Sequence, residues 1–187
     1  MRVLITGSNG FISSALAAAL HKKAHVRCLV RQTSNLQWLE GMPVELYYGD
    51  LNKVETLFDA VKDIDCVFHL GGVTKERRRG EFLRGNYQAT VNLVKACIET
   101  KQQPRFIFVS SQAAGGPATF DTPRCEFDIP HPISLYGLTK LLAEYAVLEH
   151  ANTLPVTIIR PPSVYGPRDK DVFVMFKNVN KGFLPVL

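Results

Sequence analysis

Tyr136 and Lys140 stand four residues apart in Tyr136-Gly137-Leu138-Thr139-Lys140, at the head of an amphipathic segment. On a helix that spacing puts a phenol and an ammonium on one face, a turn apart. A free tyrosine ionises at about pH 10, too high for a base at neutrality. A neighbouring cation favours the phenolate and so brings the phenol towards general acid/base work. Upstream, the apolar run Phe106-Ile107-Phe108-Val109 ends on Ser110-Ser111, which offers a hydroxyl. A different chemistry is written near the N-terminus. There Thr6-Gly7-Ser8-Asn9-Gly10-Phe11-Ile12-Ser13 directly follows an apolar run and opens an Ala-rich segment. Gly7 permits a tight strand-to-helix turn, and Gly10 lets the backbone come close to a pyrophosphate held at a helix N-terminus. Two glycines alone would describe any such turn; their place between strand and helix is what points to phosphate.

The elements that must position these residues follow from hydrophobic periodicity. Short runs rich in Val, Ile, Leu and Phe predict strands over 2–5, 25–30, 44–48, 66–70, 105–109 and 156–159. Helical spacing between them predicts helices over 11–21, 54–61, 82–100 and 135–150. Strands and helices alternate, so the fold class is α/β: a doubly wound, Rossmann-type parallel sheet whose ligand crevice lies beyond the carboxyl ends of the strands. Unalternating strands imply burial on both faces. Residues 112–132 are rich in Gly, Pro, Asp and Thr, and Pro123, Pro130 and Pro132 make regular structure there improbable. That stretch is expected to arch over the crevice as a binding loop.

Composition narrows the function classes. A chain of 187 residues, 46% hydrophobic, is long enough for one domain with a sizeable core. Its apolar runs fall short of the roughly 20 residues a membrane helix needs. The N-terminus enters a strand without a signal-peptide pattern, so a cytoplasmic location is expected. Cys28, Cys66, Cys97 and Cys125 lack metal-ligand spacing and read as reduced thiols, with no metal site expected. The net charge of +5 suits an anionic ligand without demanding one. The basic run from Lys75 to Arg79 has no interleaved aromatics and reads as a solvated loop, so no nucleic acid is expected.

Seen together, these segments resemble the extended short-chain dehydrogenase/reductases, the group of epimerases, dehydratases and reductases. TGSNGFIS is similar to their TGxxGFxG loop, with Ser13 in place of the third glycine. Gly49-Asp50-Leu51 resembles the DL element that meets adenine, Leu70-Gly71-Gly72 resembles the LAA element that lines the cofactor, and Asn86 opens a segment similar to NxxGT. Arg160-Pro161-Pro162-Ser163-Val164-Tyr165-Gly166-Pro167 resembles RPxxVYGP. The resemblance implies Ser111, Tyr136 and Lys140 as catalytic residues, Ser111 rather than Ser110 by alignment of the preceding apolar run. It implies Gly7, Asn9, Gly10, Phe11, Ile12, Asp50, Leu51, Leu70, Gly71, Gly72, Pro162 and Val164 as cofactor contacts, with Tyr136 and Lys140 reaching the nicotinamide ribose. His69 reads as a strand-end structural residue.

Arg31 ends the second strand where an NAD-selective protein places an acidic residue, so NADP is the expected cofactor and NAD the alternative. The run Leu29-Val30-Arg31-Gln32-Thr33-Ser34-Asn35-Leu36 resembles the dihydroflavonol-reductase-like branch. The expected reaction is hydride transfer on a nucleotide sugar or a small carbonyl or alcohol; the alternative is an NAD(P)-binding regulatory or interaction protein without turnover. Residues 1–187 are expected to form the NAD(P)-binding domain, with the substrate-binding lobe that relatives carry largely absent and Phe183-Leu184-Pro185-Val186-Leu187 similar to the stretch preceding it. The expected partner is a small-molecule substrate, with no membrane, and a homodimer stays open.

Overall fold

The computed structural model describes residues 1–100 and 102–183; Leu184–Leu187, part of the stretch that resembles the approach to a second lobe, lie outside the described residues. Six parallel strands, β1 (Arg2–Thr6), β2 (His25–Val30), β3 (Glu45–Tyr48), β4 (Cys66–His69), β5 (Arg105–Val109) and β6 (Val156–Ile159), form one sheet in the order β3-β2-β1-β4-β5-β6. The order reverses between β1 and β4, whose carboxyl ends meet at the pairing of Thr6 with His69. A crevice opens at such a switch point because the crossovers on its two sides leave in opposite directions.

The period-2 geometry of β1 explains the two cores. Leu4 faces one side with Val67, Phe106 and Phe108, under Leu93 of α2 (Ala89–Ile98) and Val147 of α4 (Leu135–Leu148). Val3 and Ile5 face the other side with Cys28 and Val30, under the small Ala17 of α1 (Phe11–Leu20) and the buried Leu39. Burial on both faces holds for the inner strands. The edge strands β3 and β6 differ: their residues alternate between half-buried and exposed, because each has a neighbour on one side only. Among the described residues no helix is long and apolar enough to cross a membrane. All four cysteines are free thiols, three of them buried.

Three predicted segments differ in detail. The helix expected over 54–61 is a single 3₁₀ turn, Val54–Thr56, followed by turns. At the end of that segment the buried guanidinium of Arg27, paired with Glu45 at 2.9 Å, donates to the carbonyls of Asp59, Ala60 and Lys62. The helix expected over 82–100 begins as a π-helical turn, Leu83–Gln88, before continuing as α2. Residues 112–132 are irregular apart from a short helix at their start, α3 (Gln112–Gly115), and a further helix, α5 (Asp171–Asn180), was not expected. α5 buries none of its residues, which is why the core pattern does not announce it.

Candidate active site

A cleft of about 720 Å3 runs along the carboxyl edge of the sheet. It brings together every residue picked out from the sequence: Gly7, Asn9, Gly10, Phe11 and Ile12 at one wall, Arg31, Asp50 and Leu51 at one end, Leu70, Gly71 and Gly72 at the switch point, and Ser111, Tyr136, Lys140, Pro162 and Val164 opposite.

The phosphate loop fits an anion by its donors. Gly10 is the N-cap of α1 and no side chain caps the helix, so the first-turn N–H groups face the cleft without a protein acceptor. Gly7 has φ of 65°, and a Cβ there would stand 2.9 Å from the Gly71 Cα, so the turns that follow β1 and β4 can only approach this closely through glycine. Ser13, the departure from the third glycine, is buried and donates its hydroxyl to the Gly7 carbonyl, which ties the loop down from inside. A diphosphate is what such a cradle suits.

Beneath the loop runs a chain of buried hydrogen bonds whose direction can be worked out. The Thr90 hydroxyl donates to the Asn86 carbonyl at 2.6 Å, so it must accept from His69 Nε2 at 2.9 Å. That leaves Nδ1 as the acceptor, receiving the Thr6 hydroxyl at 2.7 Å, while Thr6 Oγ1 accepts the Gly71 N–H at 3.0 Å. His69 is therefore neutral in one tautomer, and burial, aided by the Lys140 charge, pushes its pKa down to about 3. It is a strand-end residue with structural duties, as expected. Asn86, brought inward by the π-helical turn, clasps Val73 through both N–H and carbonyl at 2.7 and 3.1 Å and donates to Thr139 at 3.1 Å. The path thus runs from the phosphate loop to α4.

On the opposite wall Ser111 is the N-cap of α3: its Oγ accepts the Ala113 N–H at 3.2 Å, and its own proton is left for the Tyr136 phenol beside it. Ser110 is instead committed, donating to the buried carboxylate of Glu144. Glu144 is held bidentately by Arg160, at 2.9 and 2.6 Å. Lys140, almost fully buried, donates to the Val109 carbonyl at 2.9 Å and lies 4.3 Å from the centre of the Phe108 ring. Burial drops its pKa to about 8, with Glu144 working against the fall. The phenol of Tyr136 departs from the expected trend: burial raises its pKa, and the Ser111 hydroxyl opposes this. Desolvation of the phenol is the larger of the two effects. Glu144 and Arg160 were missed in the sequence, although Glu144 stands four residues after Lys140 on the same helical face.

Ser111 and Tyr136 meet because α3 and α4 touch through glycine. A Cβ on Gly137 would lie 2.3 Å from the Ala113 carbonyl oxygen. Gly137→Ala is expected to push α4 off α3 and destabilise the chain by about 1–3 kcal/mol. Thermal melting should then fall by about 2–4 °C per kcal/mol. A variant melting at the wild-type temperature would contradict the close approach.

The fold and the cleft define a dinucleotide-binding protein with a serine, tyrosine and lysine set facing its phosphate loop. Residues 3–183 match the model of the NAD dependent epimerase/dehydratase family, and the chain belongs to that family. It is 29% identical to the human sterol-4-alpha-carboxylate 3-dehydrogenase, decarboxylating, over 90% of this chain and 46% of that protein. It is 31% identical to the ceramide reductase of Caulobacter vibrioides, over 99% of this chain and 53% of that protein. Among solved structures it is similar to the UDP-glucuronic acid 4-epimerase of Bacillus cereus in complex with UDP-glucuronic acid and NAD, with a TM-score of 0.82 and 29% identity, covering 98% of this chain and 64% of the other. The chain spans about half the length of the curated relatives it matches.

Proposed function

We propose that residues 1–187 act as the nucleotide-binding domain of an NADP(H)-dependent enzyme that exchanges a hydride with a carbon bearing a carbonyl or hydroxyl group. The observation that carries this reading is the meeting, in one cleft, of the uncapped N-terminus of α1 with Ser111, Tyr136 and Lys140. The cofactor, when bound, supplies or takes the hydride. Tyr136 exchanges the proton at the substrate oxygen, and the Ser111 hydroxyl holds that oxygen beside it. Lys140 binds ribose hydroxyls and keeps positive charge near the phenol. Asp50 and Leu51 border adenine, and Pro162 and Val164 border the nicotinamide.

Carbonyl reduction is favoured over sugar epimerisation by the run Leu29-Val30-Arg31-Gln32-Thr33-Ser34-Asn35-Leu36, which resembles the dihydroflavonol-reductase-like branch. Steady-state assays with NADPH against ketones and UDP-sugars, run on a protein extended by a substrate-binding lobe such as its relatives carry, test this. Residues 1–187 alone are expected to bind cofactor with negligible turnover. Oxidation of NADPH by the ketones is the expected result. Epimerisation with no net change of cofactor would overturn the reductase reading, and tight cofactor binding without any turnover would favour a regulatory or interaction role.

The choice of NADP rests on Arg31. Its backbone N–H binds Ser34 Oγ at 3.0 Å and its carbonyl accepts the Ser34 N–H at 2.9 Å, a turn that leaves the exposed guanidinium without an acidic partner among the described residues. Calorimetry should show tighter binding of NADPH than NADH. Arg31→Asp, by removing charge-assisted bonds of about 1.5–3 kcal/mol, should cut that preference by about 10-fold to 100-fold or reverse it. Equal affinities in the wild type would remove the argument.

A further inference from the structure

Arg168 leaves the β6 end of the sheet yet finishes on the far side of the cleft. Its Nη1 donates to Ser14 Oγ of α1 at 3.0 Å, and its guanidinium lies 5.4 Å from the centre of the Trp38 ring, on the loop that follows β2. Three features of this placement are unfavourable for the chain by itself. The Arg168 backbone has φ of 80°, in the left-handed region a non-glycine residue rarely adopts. The guanidinium takes a neutral hydroxyl and an aromatic face, with no carboxylate partner among the described residues. It also brings a cation to the first turn of a helix, the end whose dipole repels it. An anion lying between Arg168 and the α1 N–H groups would turn all of that charge to use, and Arg168 and Trp38 line the same cleft as the phosphate loop and Arg31.

We propose that Arg168 and Trp38 form a latch across the cofactor's phosphates, in which the Arg168 guanidinium, backed by the Trp38 ring, donates to a phosphate oxygen of the bound dinucleotide. This rests on the reading of the cleft as a dinucleotide site, and it deepens that reading by adding a contact from the opposite half of the sheet. The ligand chemistry is a phosphate ester oxygen, from either the diphosphate or the adenosine 2′-phosphate. Segment 161–170 would then be held down by the cofactor, which couples nucleotide binding to the wall that carries Pro162 and Val164.

Trp38 is the single tryptophan of the chain, so the latch has its own spectroscopic reporter. The test titrates the wild type and Arg168→Gln with ADP-ribose and with 2′-phospho-ADP-ribose, following both heat and Trp38 emission. Loss of one charge-assisted bond predicts affinity weaker by about 10-fold or more in Arg168→Gln. A wild-type Trp38 emission change on binding is expected, reduced or abolished in the variant. Equal weakening for both ligands assigns the diphosphate; weakening confined to the phosphorylated ligand assigns the 2′-phosphate. Arg168→Lys, which keeps the charge but not the planar fork, should fall between. Binding that is equal in wild type and Arg168→Gln, or wild-type Trp38 emission that does not move on binding, overturns the latch while leaving the cofactor reading intact. Failure of either ligand to bind the wild type overturns both.

Discussion

Tyr136→Phe is expected to lower turnover by about 10²–10⁴-fold, the range a positioned general acid or base supplies, with cofactor affinity nearly unchanged. The variant isolates the hydroxyl because phenylalanine keeps the ring, which packs at 5.8 Å between centroids against Phe82. Burial raises the pKa of the phenol, so Tyr136 carries its proton at neutral pH, the state in which it would serve as donor to a carbonyl oxygen. In the oxidative direction the phenolate is needed, and then the Lys140 charge and the Ser111 hydroxyl have to offset burial. Since Lys140 titrates near about 8, its support for the phenolate is present below that pH and fades above it. Oxidation by the wild type should therefore lose the benefit of rising pH sooner than a tyrosine with a permanent cation beside it. Single-turnover rates of the extended protein, as wild type and as Tyr136→Phe, with a carbonyl substrate measure the effect, and retained turnover in the variant would mean that another group moves the proton.

What could be read from the residues, and what could not, divides along physical lines. The six strands and the helices that cover them were legible because each inner strand is buried on both faces and each helix has one apolar face, so composition and period carry the signal. The gathering of Gly7, Arg31, Asp50, Ser111 and Tyr136 on one cleft followed from the same cause, since every one of them lies at or just beyond the carboxyl end of a strand or at the start of a helix that follows. The contact that closes the segment after Val54 was not legible, because Arg27 reaches the carbonyls of Asp59, Ala60 and Lys62 from a strand distant in sequence. Nor was the committed state of Ser110, which is decided by Glu144 and Arg160 from two other elements. The π-helical turn at Leu83–Gln88 shows the same limit: its periodicity is helical, and only the fit of Asn86 around Val73 shows why the turn is wider.

His69 ties the stability of the whole crevice to pH, and the direction of the effect is fixed by the sense of its shift. Its ordinary pKa is 6.5 and in the fold it is about 3, so between those values the unfolded chain binds a proton that the folded chain refuses. The stabilisation is complete above about 6.5 and drains away as pH falls towards 3, at up to tenfold in the folding equilibrium per pH unit. The structural reason is that both ring nitrogens are already used, with Nδ1 accepting from Thr6 and Nε2 donating to Thr90, so a second ring proton would meet the Thr6 hydroxyl head-on in a fully buried site. Denaturant titrations from pH 7.5 down to about 4.5 should therefore show wild-type stability declining. His69→Gln should be less stable at neutral pH by about 1–3 kcal/mol, the usual cost of leaving a buried polar partner unsatisfied. It should also decline less steeply on acidification, so that the two curves converge. Taking the difference between the proteins removes the titration of every other group they share. Parallel curves over that range would show that His69 accepts a proton in the folded state, and the single-tautomer chain from Gly71 to Asn86 would have to be abandoned.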